Sequence, residues 1–156
     1  ADVGRSYVTR GYADEMRAAL APQVRLAKAL TPAGEPILTT VFLPRWYLLA
    51  ERLPSSGAYY YLPWQAVYNR APVLGYKLDP CEDLVEAPPK LIVWDRWPVW
   101  DQYDVADYAP CLVEIMQRDY VAVSGTQFLL RKPVSAADRA LLAEFGFALE
   151  PVSGTD

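Results

Sequence analysis

The 156-residue chain contains no histidine. That absence removes every imidazole triad, proton shuttle and histidine-ligated metal site from consideration. Neither G-x-G-x-x-G nor G-x-x-x-x-G-K-[ST] occurs, so no phosphate-cradling loop and no nucleotide cofactor is expected. Lysine is scarce: Lys28, Lys77, Lys90 and Lys132 are the whole set, and none lies in a motif that marks a Schiff-base nucleophile. No uninterrupted apolar run approaches the roughly eighteen residues of a spanning helix. The best runs, Ile37 to Leu43 and Trp46 to Ala50, have strand or short-helix length. Basic residues are scattered rather than gathered into a stripe, which argues against nucleic acid as a partner. Ala1 is neither an initiator methionine nor the start of a signal peptide, so a processed product or a fragment of a longer chain is expected.

What remains is a chain that is 53% apolar and 22% charged. It is long enough for one core, too short for two ordinary domains, and too apolar to stay unfolded. Residues 1–77 carry nine Lys/Arg against five Asp/Glu, and residues 78–156 carry six against fourteen, so the net charge of −4 conceals a basic half and an acidic half. A solvated mixed surface accounts for this.

Residues 1–11 read as a flexible lead-in, 12–150 as a single α/β domain and 151–156 as a tail. Apolar residues near helical spacing from Tyr12 to Leu30 predict a helix, with Pro22 either kinking it or starting a second one. Ile37 to Leu43 reads as a strand buried on both faces, Arg45 to Leu53 as a short helix, and Ala58 to Trp64 as a second, tyrosine-rich strand. Asp79-Pro80 is a strong helix start, with an acceptor at the N-cap, Pro at the first helical position, and Glu82 and Asp83 in the first turn. Lys90 to Asp95 is a third strand, and a helix from near Tyr103 or Pro110 runs to Arg118. Tyr120 to Ser124 and Thr126 to Arg131 flank Gly125 as a hairpin, and Ser135 with Asp138 opens a helix ending at Gly146. The alternation predicts an α/β fold of three layers, a mainly parallel sheet with helices on both faces and an antiparallel C-terminal edge hairpin.

Asp95 closes a predicted buried strand, with Asp101, Asp104 and Asp107 following. Acids near a helix start are favoured there by the macrodipole alone, and no EF-hand loop is present, so no metal site is expected. The aromatics form two groups: Tyr59, Tyr60, Tyr61, Trp64 and Tyr68, then Trp94, Trp97, Trp100 and Tyr103. Such rings stack on sugar faces or sit at membrane surfaces, and the plainer alternative is that alternate members fill the core. Because parallel-sheet folds place ligands beyond the carboxyl ends of their strands, Asp95, Trp97, Trp100 and Tyr103 are the candidate binding residues. The competing expectation folds both tryptophans back as a lid on the core. Cys81 and Cys111 each follow a proline just inside a helix start. A disulfide and two buried reduced thiols fit that pattern equally well.

The stretch Pro36-Ile37-Leu38-Thr39-Thr40, then Trp46-Tyr47-Leu48-Leu49-Ala50-Glu51-Arg52-Leu53-Pro54-Ser55-Ser56, then Tyr59-Tyr60-Tyr61-Leu62-Pro63, resembles the soluble C-terminal region of GT-C class membrane glycosyltransferases, which use polyprenyl-phosphate sugar donors. Pro89 to Asp95, an aromatic-rich helix and the Tyr120 to Arg131 pair are similar to the rest of such domains, and the likeness spans residues 12–132. The resemblance implies a domain on the periplasmic face of the bacterial inner membrane. Its partners would be the membrane-embedded remainder of its own chain and a glycan or polyprenyl-linked sugar. It also implies a Cys81–Cys111 disulfide and no catalytic residue, since the family's catalytic acids lie between membrane helices. A free-standing periplasmic binding module and a small cytoplasmic α/β enzyme are the rival readings.

Overall fold

The computed structural model describes residues 10–57 and 59–152. Twelve α-helices and β-strands follow one another, with a short 3-10 helix (Val73–Gly75) between the third and fourth α-helices: α1 (Arg10–Leu30), β1 (Leu38–Thr39), α2 (Arg45–Ala50), α3 (Pro63–Asn69), α4 (Pro80–Glu86), β2 (Leu91–Val93), α5 (Val105–Tyr108), α6 (Pro110–Asp119), β3 (Tyr120–Val123), β4 (Phe128–Arg131), α7 (Ala136–Glu144) and β5 (Leu149–Glu150). Of the expected lead-in, residues 1–9 lie outside the described residues, and α1 begins two residues earlier than the sequence predicts, running through Pro22 as one helix. Of the expected tail, Val152 packs against the core and 153–156 lie outside the described residues.

The five strands form one sheet in the order β1-β2-β4-β3-β5. The fold is α/β, but the expected mainly parallel sheet is corrected: only β1 and β2 pair in parallel, and every other pair is antiparallel. The cause is the hairpin. Strands β1, β2 and β3, each separated from the next by helices, point the same way, as that alternation demands. Gly125, at φ 72, then turns the chain back so that β4 inserts between β2 and β3 rather than lying at the edge. Its Leu129 and Leu130 pair with both neighbours, so the hairpin partner is the central strand.

Side chains alternate across the sheet. Leu91, Val93, Phe128, Leu130 and Val123 face α1, α2 and α7, together with Leu26, Leu30, Trp46 and Leu142. Ile92, Trp94, Leu129, Ala122 and Tyr120 face the other way, onto Leu84, Val105, Leu112 and Met116 of α4, α5 and α6. This is the expected three-layer arrangement, and complete burial of Leu91, Ile92 and Val93 contributes about 1.5–3 kcal/mol for each side chain.

Two expected strands change. Ile37 to Leu43 supplies only the two residues of β1, because Val41 takes a left-handed backbone (φ 54) and ends the pairing. Of the expected strand Ala58 to Trp64, Ala58 lies outside the described residues, and Tyr59 to Trp64 forms no strand. Its Tyr61 N–H reaches the Val41 carbonyl at 3.2 Å, and Pro63 then opens α3, with the Gln65 side chain accepting the Leu62 N–H at 2.8 Å.

The expected caps are present. Asp79 accepts the N–H groups of Cys81 and Glu82, and Ser135 Oγ accepts that of Asp138. Asp138 also bonds Lys90 Nζ at 2.8 Å, tying α7 to the start of β2. Burial alone would raise its carboxyl, but the bonds from Lys90 and Ser135 and the Lys90 charge hold it below the usual carboxylate range. A depressed native pKa gives stability that is present above the unfolded value and lost as pH falls through the folded one. Asp138→Asn is therefore expected to lower unfolding free energy by about 1 kcal/mol at neutral pH, since the pair is largely shielded. Urea titrations of both proteins should show that gap closing below about pH 4; a gap independent of pH would refute the assignment.

Candidate functional site

The parallel pairing of β1 with β2 brings both carboxyl ends to one end of the sheet, and the chain leaves each end through aromatic residues. After β1 come Val41 and Phe42; after β2 come Trp94, Asp95 and Trp97. The α3 entry returns over the same place and adds Tyr60, Leu62 and Trp64. With Phe42, Trp97, Val99 and Trp100, those three line an open groove of about 290 Å³. Tyr60 and Trp64 of the first aromatic group and Trp97 and Trp100 of the second thus share one surface, while Tyr61 and Trp94 fill the core.

Within it, the Trp64 and Trp100 rings stack, their centroids 5.3 Å apart and their planes inclined by 28°. Phe42 and Tyr60 meet edge to face at 5.5 Å, and Tyr103 packs edgewise on Trp100 at 6.5 Å. Trp97 is 40% and Trp100 62% exposed, so neither ring is a plug in the core. The backbone of Trp100 and Asp101 is left-handed, at φ 54 and 55, and Val41 at φ 54 is beta-branched as well. Each such residue stores about 1–3 kcal/mol of strain. Trp100 lines the groove itself, and Val41 and Asp101 are chain neighbours of its lining residues Phe42 and Trp100.

Asp95 sits apart from its expected companions. It is 8% exposed, its N–H donates to Thr40 Oγ1 at 3.1 Å, and its carboxylate accepts the Trp97 N–H at 3.1 Å. It shapes the turn that presents Trp97 and does not line the groove. Asp104 accepts the Ala106 N–H at 2.9 Å as the N-cap of α5. Among the described residues no three Cys, Asp or Glu side chains converge as a metal site would require. Below the groove, Tyr108 donates to the Tyr61 carbonyl at 3.3 Å. Burial, followed by the Asp104 and Asp95 charges, pushes the Tyr108 phenol up, so it stays protonated and is no base near neutral pH.

Phe42, Leu62 and Val99 were not indicated by the sequence, and Tyr60 and Trp64 were marked as members of an aromatic group but not joined to the candidate site. The available signal was the short polar step from each candidate strand into an aromatic, which places rings from separate segments at one sheet end only if those strands are parallel neighbours.

Cys81 and Cys111 are joined, with Cα atoms 6.1 Å apart, and link the first turns of α4 and α6. The bond belongs to an oxidising, non-cytoplasmic compartment. No helix among the described residues is long and apolar enough to cross a membrane. Comparison with protein-family models, with curated proteins and with solved structures finds nothing that matches this chain.

Proposed function

We propose that the chain is a non-catalytic accessory domain of a membrane glycosyltransferase, facing the periplasm, that positions an acceptor glycan or a polyprenyl-linked sugar. The observation that carries this reading is the aromatic groove, in which half-exposed indoles are held by strained backbone at the carboxyl end of the parallel pair. The cross-link between Cys81 and Cys111 favours an envelope protein over a small cytoplasmic enzyme. The membrane-embedded remainder of the same polypeptide is the proposed partner. The lining is uncharged, which suits a sugar face or a prenyl chain and gives no acid–base pair for transfer chemistry.

The test is calorimetric titration of the 156-residue chain with neutral oligosaccharides and with farnesyl phosphate. The double variant Trp97→Ala/Trp100→Ala is expected to bind about ten- to a hundredfold more weakly while remaining folded, since each stacked ring is worth about 0.5–1.5 kcal/mol beyond its buried area. Unchanged affinity in the folded double variant, or turnover of a polyprenyl-phosphate sugar by this chain alone, would overturn the proposal.

A further inference from the structure

We infer that the connection between α3 and α4 docks the chain on the surface of an anionic lipid bilayer, with Leu74 as the residue that enters it. The inference goes beyond the groove reading and needs no glycan. Neither α3 nor the 3-10 helix Val73–Gly75 buries a side chain. Trp64, Val67 and Tyr68 are spaced i, i+3, i+4, so they share one face of α3, and all three are exposed. Ala66, on another face, packs against the core. The Tyr68 hydroxyl donates to the Val73 carbonyl at 3.2 Å, which lays the connection beside that apolar face. Val73 and Tyr76 are exposed there too, and Leu74 is 99% exposed.

Asn69 clips the base of this projection. Its side-chain carbonyl accepts the Leu78 N–H at 3.3 Å, and its amide donates to the Leu78 carbonyl and, at 3.0 Å, to the Tyr61 hydroxyl. At the tip Leu74 has φ 58 and ψ 18, a left-handed backbone that leucine avoids. A leucine held wholly in water on disfavoured backbone contributes nothing to the fold. A protein partner would need a cavity cut to such a convex tip, whereas acyl chains close around it. Tyrosine and tryptophan rings set behind an aliphatic tip are also the composition of a membrane–water interface. Charge names the lipid. Residues 52–78 contain Arg52, Arg70 and Lys77 and no acid. Arg52 is engaged at two helix ends, and Lys77 pairs with Asp79 at 2.6 Å and Glu82 at 3.0 Å. Arg70 is exposed at the base of the projection, has no ion pair among the described residues, and is the cation that a phosphate headgroup meets. At the far end of the patch the exposed Asp101 follows Trp100, which stacks on Trp64, so the Leu74 end is the one an anionic surface accepts.

The test is co-sedimentation of the 156-residue chain with vesicles of phosphatidylglycerol and phosphatidylethanolamine in equal parts, and with vesicles of phosphatidylcholine alone. The parent chain is expected to bind the anionic vesicles about fivefold more tightly, the effect of one basic side chain at a charged surface. Arg70→Gln should remove that preference. Leu74→Asn places a residue there that accepts left-handed backbone more readily, so it should melt no lower than the parent while binding anionic vesicles about tenfold more weakly. A parent chain that does not bind anionic vesicles, or a folded Leu74→Asn chain that binds them as well as the parent, would overturn the proposal. An anionic preference that survives in Arg70→Gln would do the same. Self-association without lipid that is lost in Leu74→Asn would give the face to a second copy of the chain and end the bilayer reading. None of these results touches the groove, whose calorimetric response to oligosaccharide is measured without lipid.

Discussion

Replacing Cys81 and Cys111 together by alanine is expected to lower the unfolding free energy by about 3–4 kcal/mol, and the melting temperature by about 10 °C. The cross-link closes a loop of sequence separation 30, and constraining a loop of that length in the unfolded chain accounts for the whole of this figure in the chain-entropy model. Local structure makes the effect uneven. Helix α4 buries only Pro80 and Leu84, and the ion pairs around it, from Lys77 to Asp79 and Glu82, are exposed enough to add little. The disulfide is its main tie to α6, which buries Leu112, Val113, Ile115 and Met116. Amide exchange should therefore accelerate first across α4, at conditions where the sheet is still protected. Thermal melts with and without reductant, beside the double variant, measure the global part. Two free thiols in protein made in an oxidising compartment, or a fall of less than about 2 °C, would refute the account.

That bond also marks how far residues alone could be read. Asp79-Pro80 and Ser135 named their helix starts correctly because a cap is local: an acceptor side chain, the N–H groups two and three residues on, and nothing else. The buried strand Leu91–Val93 was legible for the same reason, as a short run of branched apolar residues between turn signals. Failures came where tertiary placement decides. Tyr59 to Tyr61 has the composition of a strand, yet Tyr59 and Tyr60 are left at the surface and only Tyr61 is buried, so the segment lies extended as the entry to α3. Nothing in the Tyr120 to Arg131 hairpin reveals that β4 will divide β2 from β3; pairing order depends on which edge a strand finds. The site was half visible. Trp97 and Trp100 were indicated by their place after a strand, whereas Phe42, Tyr60 and Trp64 join them only through the β1–β2 pairing; Tyr103 packs on Trp100 without lining the groove, and Asp95 serves its own turn.

Arg52→Ala is expected to be as damaging as loss of the disulfide, at about 3 kcal/mol, although it removes no buried apolar side chain. One guanidinium serves the carboxyl ends of two helices. Nη1 donates to the carbonyls of Ala50 and Glu51, each at 3.0 Å, at the end of α2. On the α1 side Nη2 donates to the Lys28 carbonyl at 3.3 Å and to the Thr31 carbonyl, while Nε donates to the Thr31 carbonyl at 3.0 Å and to Thr31 Oγ1 at 3.2 Å. The last carbonyls of a helix have no partner within it, and the negative end of each helix dipole favours a cation there. Thr31 is fully buried, so without the guanidinium its carbonyl loses its charged donor where water cannot readily replace it, at about 1–3 kcal/mol. The damage should spread. Leu53 and Ser55, the residues around Pro54, hold Ile37 through bonds of 3.0 and 2.8 Å, and Ile37 leads into β1 beneath the groove. Arg52→Met keeps most of the aliphatic stem and should be nearly as destabilised as alanine. Arg52→Lys keeps the charge but offers a single ammonium that cannot span both helix ends, and should recover less than half the loss. Urea midpoints for the three variants decide the matter. A methionine variant as stable as the parent would show that the stem, not the hydrogen-bonding head, joins the two helices.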